Sequence, residues 1–172
     1  MKTTLLILYC ASLAIVQAQD FTSVAGGTKA YYSQVKNNIL RSAEKMPEVN
    51  YSFKPTPEVR SFGQLVGHVA DATYTFCSAV LGEKAPVSGI EKGKSGKADL
   101  TAALKGAFGY CDKVYDGFTD ASAGDTVKFF GGERSKLNVL EFNTMHDWEH
   151  YGNMVTYLRL KGIVPPSSEP RK

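Results

Sequence analysis

The segment from Ser61 to Gly82 most tightly restricts what this chain can become. Ser61 followed three residues later by Gln64 forms a capping box, a reciprocal pair that satisfies amide groups left open at a helix start. Phe62, Leu65, Val69, Ala72, Phe76, Ala79 and Val80 then recur three and four residues apart, and the run stops near Gly82. This is a long amphipathic helix, and its apolar stripe has to be covered by other helices. Three further segments share the character. One runs from about Thr22 to Lys45, with Tyr31, Val35, Ile39 and Leu40 on one face and Met46-Pro47 behind it. Another follows Asp99 to about Phe118 and carries Leu100, Ala103, Leu104, Ala107, Tyr110, Cys111 and Val114. The last begins after Arg134, with Ser135 as its cap, and reaches Lys161, where Gly162 and then Pro165-Pro166 prevent continuation. Four long helices with little strand predict an all-α, four-helix bundle.

The connections are polar. Residues 125–134, DTVKFFGGER, predict a short extended turn around Gly131-Gly132. The stretch GEKAPVSGIEKGKSGKAD reads as a long loop with solvated lysines. Its Gly93-Lys94-Ser95 has the ending of a phosphate loop, but the required earlier glycine is Ser88 and no strand precedes it, which excludes nucleotide binding by that route. With 20 Lys and Arg against 17 Asp and Glu the net charge is only +3, so nucleic acid is not an expected partner.

Residues 1–18, MKTTLLILYCASLAIVQA, have a positive start at Lys2, an apolar segment from Leu5 to Val16, and Val16-Gln17-Ala18 before the polar Gln19-Asp20. This pattern predicts a secretory signal peptide, with the mature chain starting at Gln19. The expected organisation is therefore a signal peptide over 1–18, one bundle domain over 19–164 and a flexible tail over 165–172. The expected location is periplasmic or extracellular, with no membrane span left after cleavage. Cys77 and Cys111 then remain on two predicted helices, either as a disulfide permitted by export or as two small buried thiols.

The chain has only three histidines. His146 and His150, four residues apart, lie one above the other on a helical face with Val139, Asn143, Met154 and Tyr157. His68 borders the apolar stripe of the second helix. If those helices face each other, three imidazoles converge in the core. Three neutral imidazoles suit a divalent ion such as Zn, Ni or Fe and leave positions open for water or substrate. Asn143 and Tyr157 are candidate catalytic helpers, and Asp71 or Gln64 candidates for orienting His68. His146-Asp147-Trp148-Glu149-His150 also fits the inverted zinc-protease pattern, with Glu149 as general base. That chemistry needs a later carboxylate ligand, and only Glu169 in the tail follows, so a protease is not expected and Glu149 reads as solvated.

Two segments, EKMPEVNYSFKPTPEVRSFGQLVGHVADA and HDWEHYGNMVTYLRLKGIVPPSS, resemble the DinB-like (DinB/YfiT-type) superfamily across nearly all of the mature chain. The resemblance implies a bundle holding one divalent metal on His68, His146 and His150, and often a dimer. Some of its members are thiol S-transferases that use low-molecular-weight thiols, and others resemble metal-dependent hydrolases. The expected function is thus an exported metal-dependent hydrolase or thiol S-transferase acting on a small molecule. The alternative is a non-catalytic metal-binding stress-response protein. Met145, Trp148 and Gly152, on the face of the last helix turned away from the histidines, predict a homodimer with that helix near the two-fold axis. The competing expectation for Trp148 is packing under Ile163-Val164-Pro165.

Overall fold

The computed structural model describes residues 20–170. The expected signal peptide and its cleavage point lie outside the described residues, as do Arg171 and Lys172. Helices α1 (Val24–Lys45), α2 (Phe62–Leu81), α4 (Lys97–Gly117) and α5 (Lys136–Leu160) are the four long elements of the predicted bundle. A single-turn helix α3 (Ile90–Gly93) precedes α4, and a hairpin of β1 (Thr126–Phe129) and β2 (Gly132–Ser135) leads into α5. Among the described residues, no helix is long and apolar enough to cross a membrane.

Local chemistry fixes the helix ends. Ser23, Ser61 and Ser135 each accept a hydrogen bond from the amide three residues ahead, and Gln64 completes the capping box at α2. Gly82 closes α2 in the left-handed conformation at φ 71°. In the bundle, α2 packs on α4 and α5, and α1 packs on the same two helices from the other side. Tyr32, Ile39, Phe62, Leu100, Leu104, Phe108, Leu140, Met154 and Leu158 are all fully enclosed. Each such side chain contributes about 1.5–3 kcal/mol through removal from water, and this burial holds α2 and α5 face to face. A disulfide between Cys77 of α2 and Cys111 of α4, with Cα atoms 5.4 Å apart, decides between the two readings of the cysteines.

Two expectations are corrected. The stretch after α2 is not wholly a solvated loop: Asp71 on α2 accepts hydrogen bonds from the Ile90 and Glu91 amides and docks α3 against that helix. The tail after Val164 is anchored through Glu169 rather than loose. Pro165 and Pro166 are buried, Tyr151 donates to Ser167 Oγ at 2.7 Å, and Glu169 pairs with Arg41 and Lys45 of α1. Pro165 is extended and Pro166 opens a 3-10 turn over Pro166–Ser168, while these contacts fix the tail across α1 and α5.

Candidate metal centre

His68 on α2 meets His146 and His150 on α5 where the two helices face each other. One nitrogen from each ring lies within 4.8 Å of the others, a group that can hold a metal ion. His146 Nε2 is the middle atom, 3.2 Å from His68 Nε2 and 3.0 Å from His150 Nε2. Ligands about 2.0–2.1 Å from a tetrahedral ion stand ~3.3 Å from one another, so both contacts have nearly the right span.

The protonation chemistry points the same way. His68 Nδ1 is 3.2 Å from Glu91 Oε2, a carboxylate that accepts. The ring proton of His68 therefore sits on Nδ1, and its Nε2 turns a lone pair toward His146. No placement of the remaining ring protons makes good hydrogen bonds of both short contacts, because His146 Nε2 has either one proton or one lone pair to offer. A cation accepting three lone pairs satisfies the set. Burial, followed by the neighbouring imidazoles, lowers both His146 and His150 to about 4, which keeps them neutral and ready as ligands.

Glu91 was missed by the sequence reading. It arrives on α3 and is held on both sides, with Oε1 accepting from Arg60 Nε at 2.9 Å and Oε2 facing His68. Gly67, next to His68, lets α3 come this close: a Cβ there would stand 2.7 Å from Glu91 Cα. Asp71, expected beside His68, instead acts one step removed by binding the backbone of α3. Gln64 is engaged in the helix cap and does not orient His68. A glycine adjacent to a histidine and an acid one turn further along α2 were the only traces of this arrangement in the chain.

The other candidates separate. Tyr157 donates to the Arg60 carbonyl at 2.6 Å and, with Arg60, Leu65, Glu91, Glu149 and Asn153, lines an open cleft of about 730 Å³ that reaches His150. Glu149 is exposed at its rim. Asn143 is not brought to the histidines. It is buried in a different network, donating to the Tyr115 hydroxyl at 3.2 Å and to Asp147 at 3.4 Å. Glu169, the carboxylate a protease site would need, is held by Arg41 and Lys45.

Comparison with known proteins matches residues 31–154 to the model of the DinB superfamily. The chain belongs to the DinB superfamily. Two solved structures share the DinB-like fold. A DinB-like protein from Bacillus cereus superposes with a TM-score of 0.73 at 14% identity, covering 86% of this chain and 98% of that one. A DinB-like protein from Bacillus subtilis gives 0.69 at 21% identity, over 85% and 99%. A comparison with curated proteins finds no match.

Proposed function

We propose that this DinB-superfamily protein is an exported metal-dependent enzyme that holds one divalent ion on His68, His146 and His150 and acts on a small molecule. The observation that carries this reading is the convergence of three Nε2 atoms, lacking any good arrangement of protons, beside an open cleft. An ion held there supplies Lewis acidity, polarising an electrophile or acidifying a nucleophile at its remaining positions. The chain's own residues do the rest. Glu91 fixes the His68 tautomer and Arg60 fixes Glu91, while the cleft along Arg60, Asn153 and Tyr157 admits the substrate. Hydrolysis and thiol transfer both suit such a centre, with zinc, nickel or iron as the ion. Export, supported by the Cys77–Cys111 disulfide, favours hydrolysis, because water is available wherever the protein goes.

Stripping the protein with a chelator, reloading it with Zn, Ni or Fe(II), and assaying esters, lactams and thiol acceptors tests this. Turnover that returns with the metal and is absent in His146→Ala is expected. The alternative is a non-catalytic metal-binding stress-response protein, favoured by the way the centre ties α2, α3 and α5 together. Metal that raises the melting temperature with no turnover of any substrate class would establish that alternative.

The homodimer belongs to the same proposal. Met145 is exposed, a Cβ built on Gly152 would meet no group beyond its own helix backbone, and Tyr31, Val24 and Trp148 border a groove of about 590 Å³ lined also by Met145. Trp148 is half-buried, edge-on to Tyr151 at 5.9 Å. Light scattering is expected to give a dimer for the wild type and a monomer for Trp148→Glu. A monomeric wild type at micromolar concentration would end the dimer reading.

A further inference from the structure

The flank of the centre nearest His146 is built differently from the cleft beside His150. Phe76 of α2 packs edge-on to the His146 ring, with centroids 5.3 Å apart. Phe142, one turn before His146, and Phe130, at the tip of the hairpin, both pack edge-on to Phe76 at 5.2 and 5.9 Å. They meet each other at 5.8 Å. Phe76 and Phe129 are enclosed and anchor the hairpin, whereas Phe142 is 37% and Phe130 71% exposed.

Phe130 is also the one non-glycine residue with a positive φ among the described residues, at 46°. With Gly131 at φ 77° it forms a two-residue hairpin loop with both central residues left-handed. Such a loop favours Asn or Asp before Gly, and a bulky aromatic there is strained. The strain secures no burial for Phe130, whose ring stays largely in water. Phe130 stands one ring removed from His146, with Phe76 between them, and strained backbone held in place around such a centre is a pattern of functional sites.

Resting on the metal-centre reading above, we infer that Phe130, Phe142 and Phe76 form an apolar subsite on the His146 flank. This subsite takes the apolar or aromatic group of the substrate, and Phe130 is its specificity-determining residue. Edge-on aromatic walls with an open face accept a flat apolar group, and covering Phe130 and Phe142 removes from water surface that folding leaves exposed.

The test compares two hydroxamates, which share a metal-binding group, on the zinc-loaded full protein. Acetohydroxamate probes the centre alone, and benzohydroxamate adds a ring. Benzohydroxamate is expected to bind the wild type about tenfold more tightly, from burial of one aromatic face. Phe130→Asn, which supplies the residue this turn favours, should melt no lower than the wild type and keep its acetohydroxamate affinity, while the tenfold preference falls to near one. Phe130→Trp should restore it. A wild type without preference, a Phe130→Asn variant that keeps it, or one that loses acetohydroxamate affinity as well would each overturn the inference. If neither hydroxamate binds the zinc-loaded wild type, the metal-centre reading fails and takes the subsite with it.

Discussion

Helix α5 carries two polar pairs at the same four-residue spacing, the half-buried to buried His146/His150 and the fully enclosed Asn143/Asp147, and they face different surroundings. The histidines face α2 and turn their Nε2 atoms toward that of His68, and His150 borders a cleft. Asn143 and Asp147 lie among residues of α1 and α4. There Tyr115 donates to the Leu140 carbonyl at 2.8 Å, accepts from Asn143, and stacks on Tyr32 with centroids 3.8 Å apart. That second cluster is closed to solvent, with Asn143 and Asp147 fully enclosed, and Asn143 Oδ1 and Asp147 Oδ1 have no hydrogen-bond partner within it. The candidate metal centre and the buried network therefore differ here in whether a molecule from outside can reach them.

Alanine substitutions in the two pairs separate them most strongly. His68→Ala, His146→Ala and His150→Ala are each expected to abolish stoichiometric metal binding, while Asn143→Ala leaves it intact, as equilibrium dialysis would show. A variant among the three that keeps full occupancy drops out of the ligand set. Reduction of Cys77–Cys111 disturbs the frame that both clusters share. A loop of separation 34 implies a loss of about 4 kcal/mol, read from urea unfolding with and without reductant. Asn143→Ala should cost about 2 kcal/mol, since it removes a buried donor from the Tyr115 hydroxyl and leaves a small cavity. Unchanged stability would show that the second network is not structural. Glu91→Gln should weaken metal affinity by about tenfold or more with little change in stability, because the His68 tautomer is no longer held by a charge. Zinc competition with a chromophoric chelator measures it.

In the metal-free protein the two clusters also predict opposite responses to pH. The folded pKa of His146 and His150, lowered to about 4, lies below their unfolded value near 6.5. Their contribution is intact above pH ~6.5 and is lost as pH falls toward 4, because the unfolded chain takes up protons first. Burial raises Asp147 well above its ordinary 3.8, so its contribution is present at low pH and is lost as pH rises through the folded value. His150→Ala should flatten the acid limb and Asp147→Asn the opposite limb, with the smaller effect from Asp147→Asn because a neutral carboxyl and an amide have similar shapes. Unfolding midpoints across pH would reveal a single shared limb if the clusters were not distinct.

Much of this was legible in the chain. Capping serines and three-four periodicity specify the long helices through local interactions, and the four-residue spacing of His146 and His150 is itself a statement about one helical face. What was not legible depends on tertiary docking. Glu91 lies 23 residues from His68 and reaches it only because Gly67 and Asp71 seat α3 on α2. Asn143 precedes His146 by three residues, an angular step of about 60° short of a full turn, and that offset carries it toward Tyr115. The composition of the tail suggested looseness, yet its order comes from partners on α1 and α5 that no local pattern announces.

Elemental analysis of wild-type protein purified without a metal-affinity column decides whether the three histidines hold one divalent ion. One ion per chain is expected, removed by chelator and restored with one-to-one stoichiometry on titration with zinc. Protein that carries no divalent ion and takes up none on titration would contradict it.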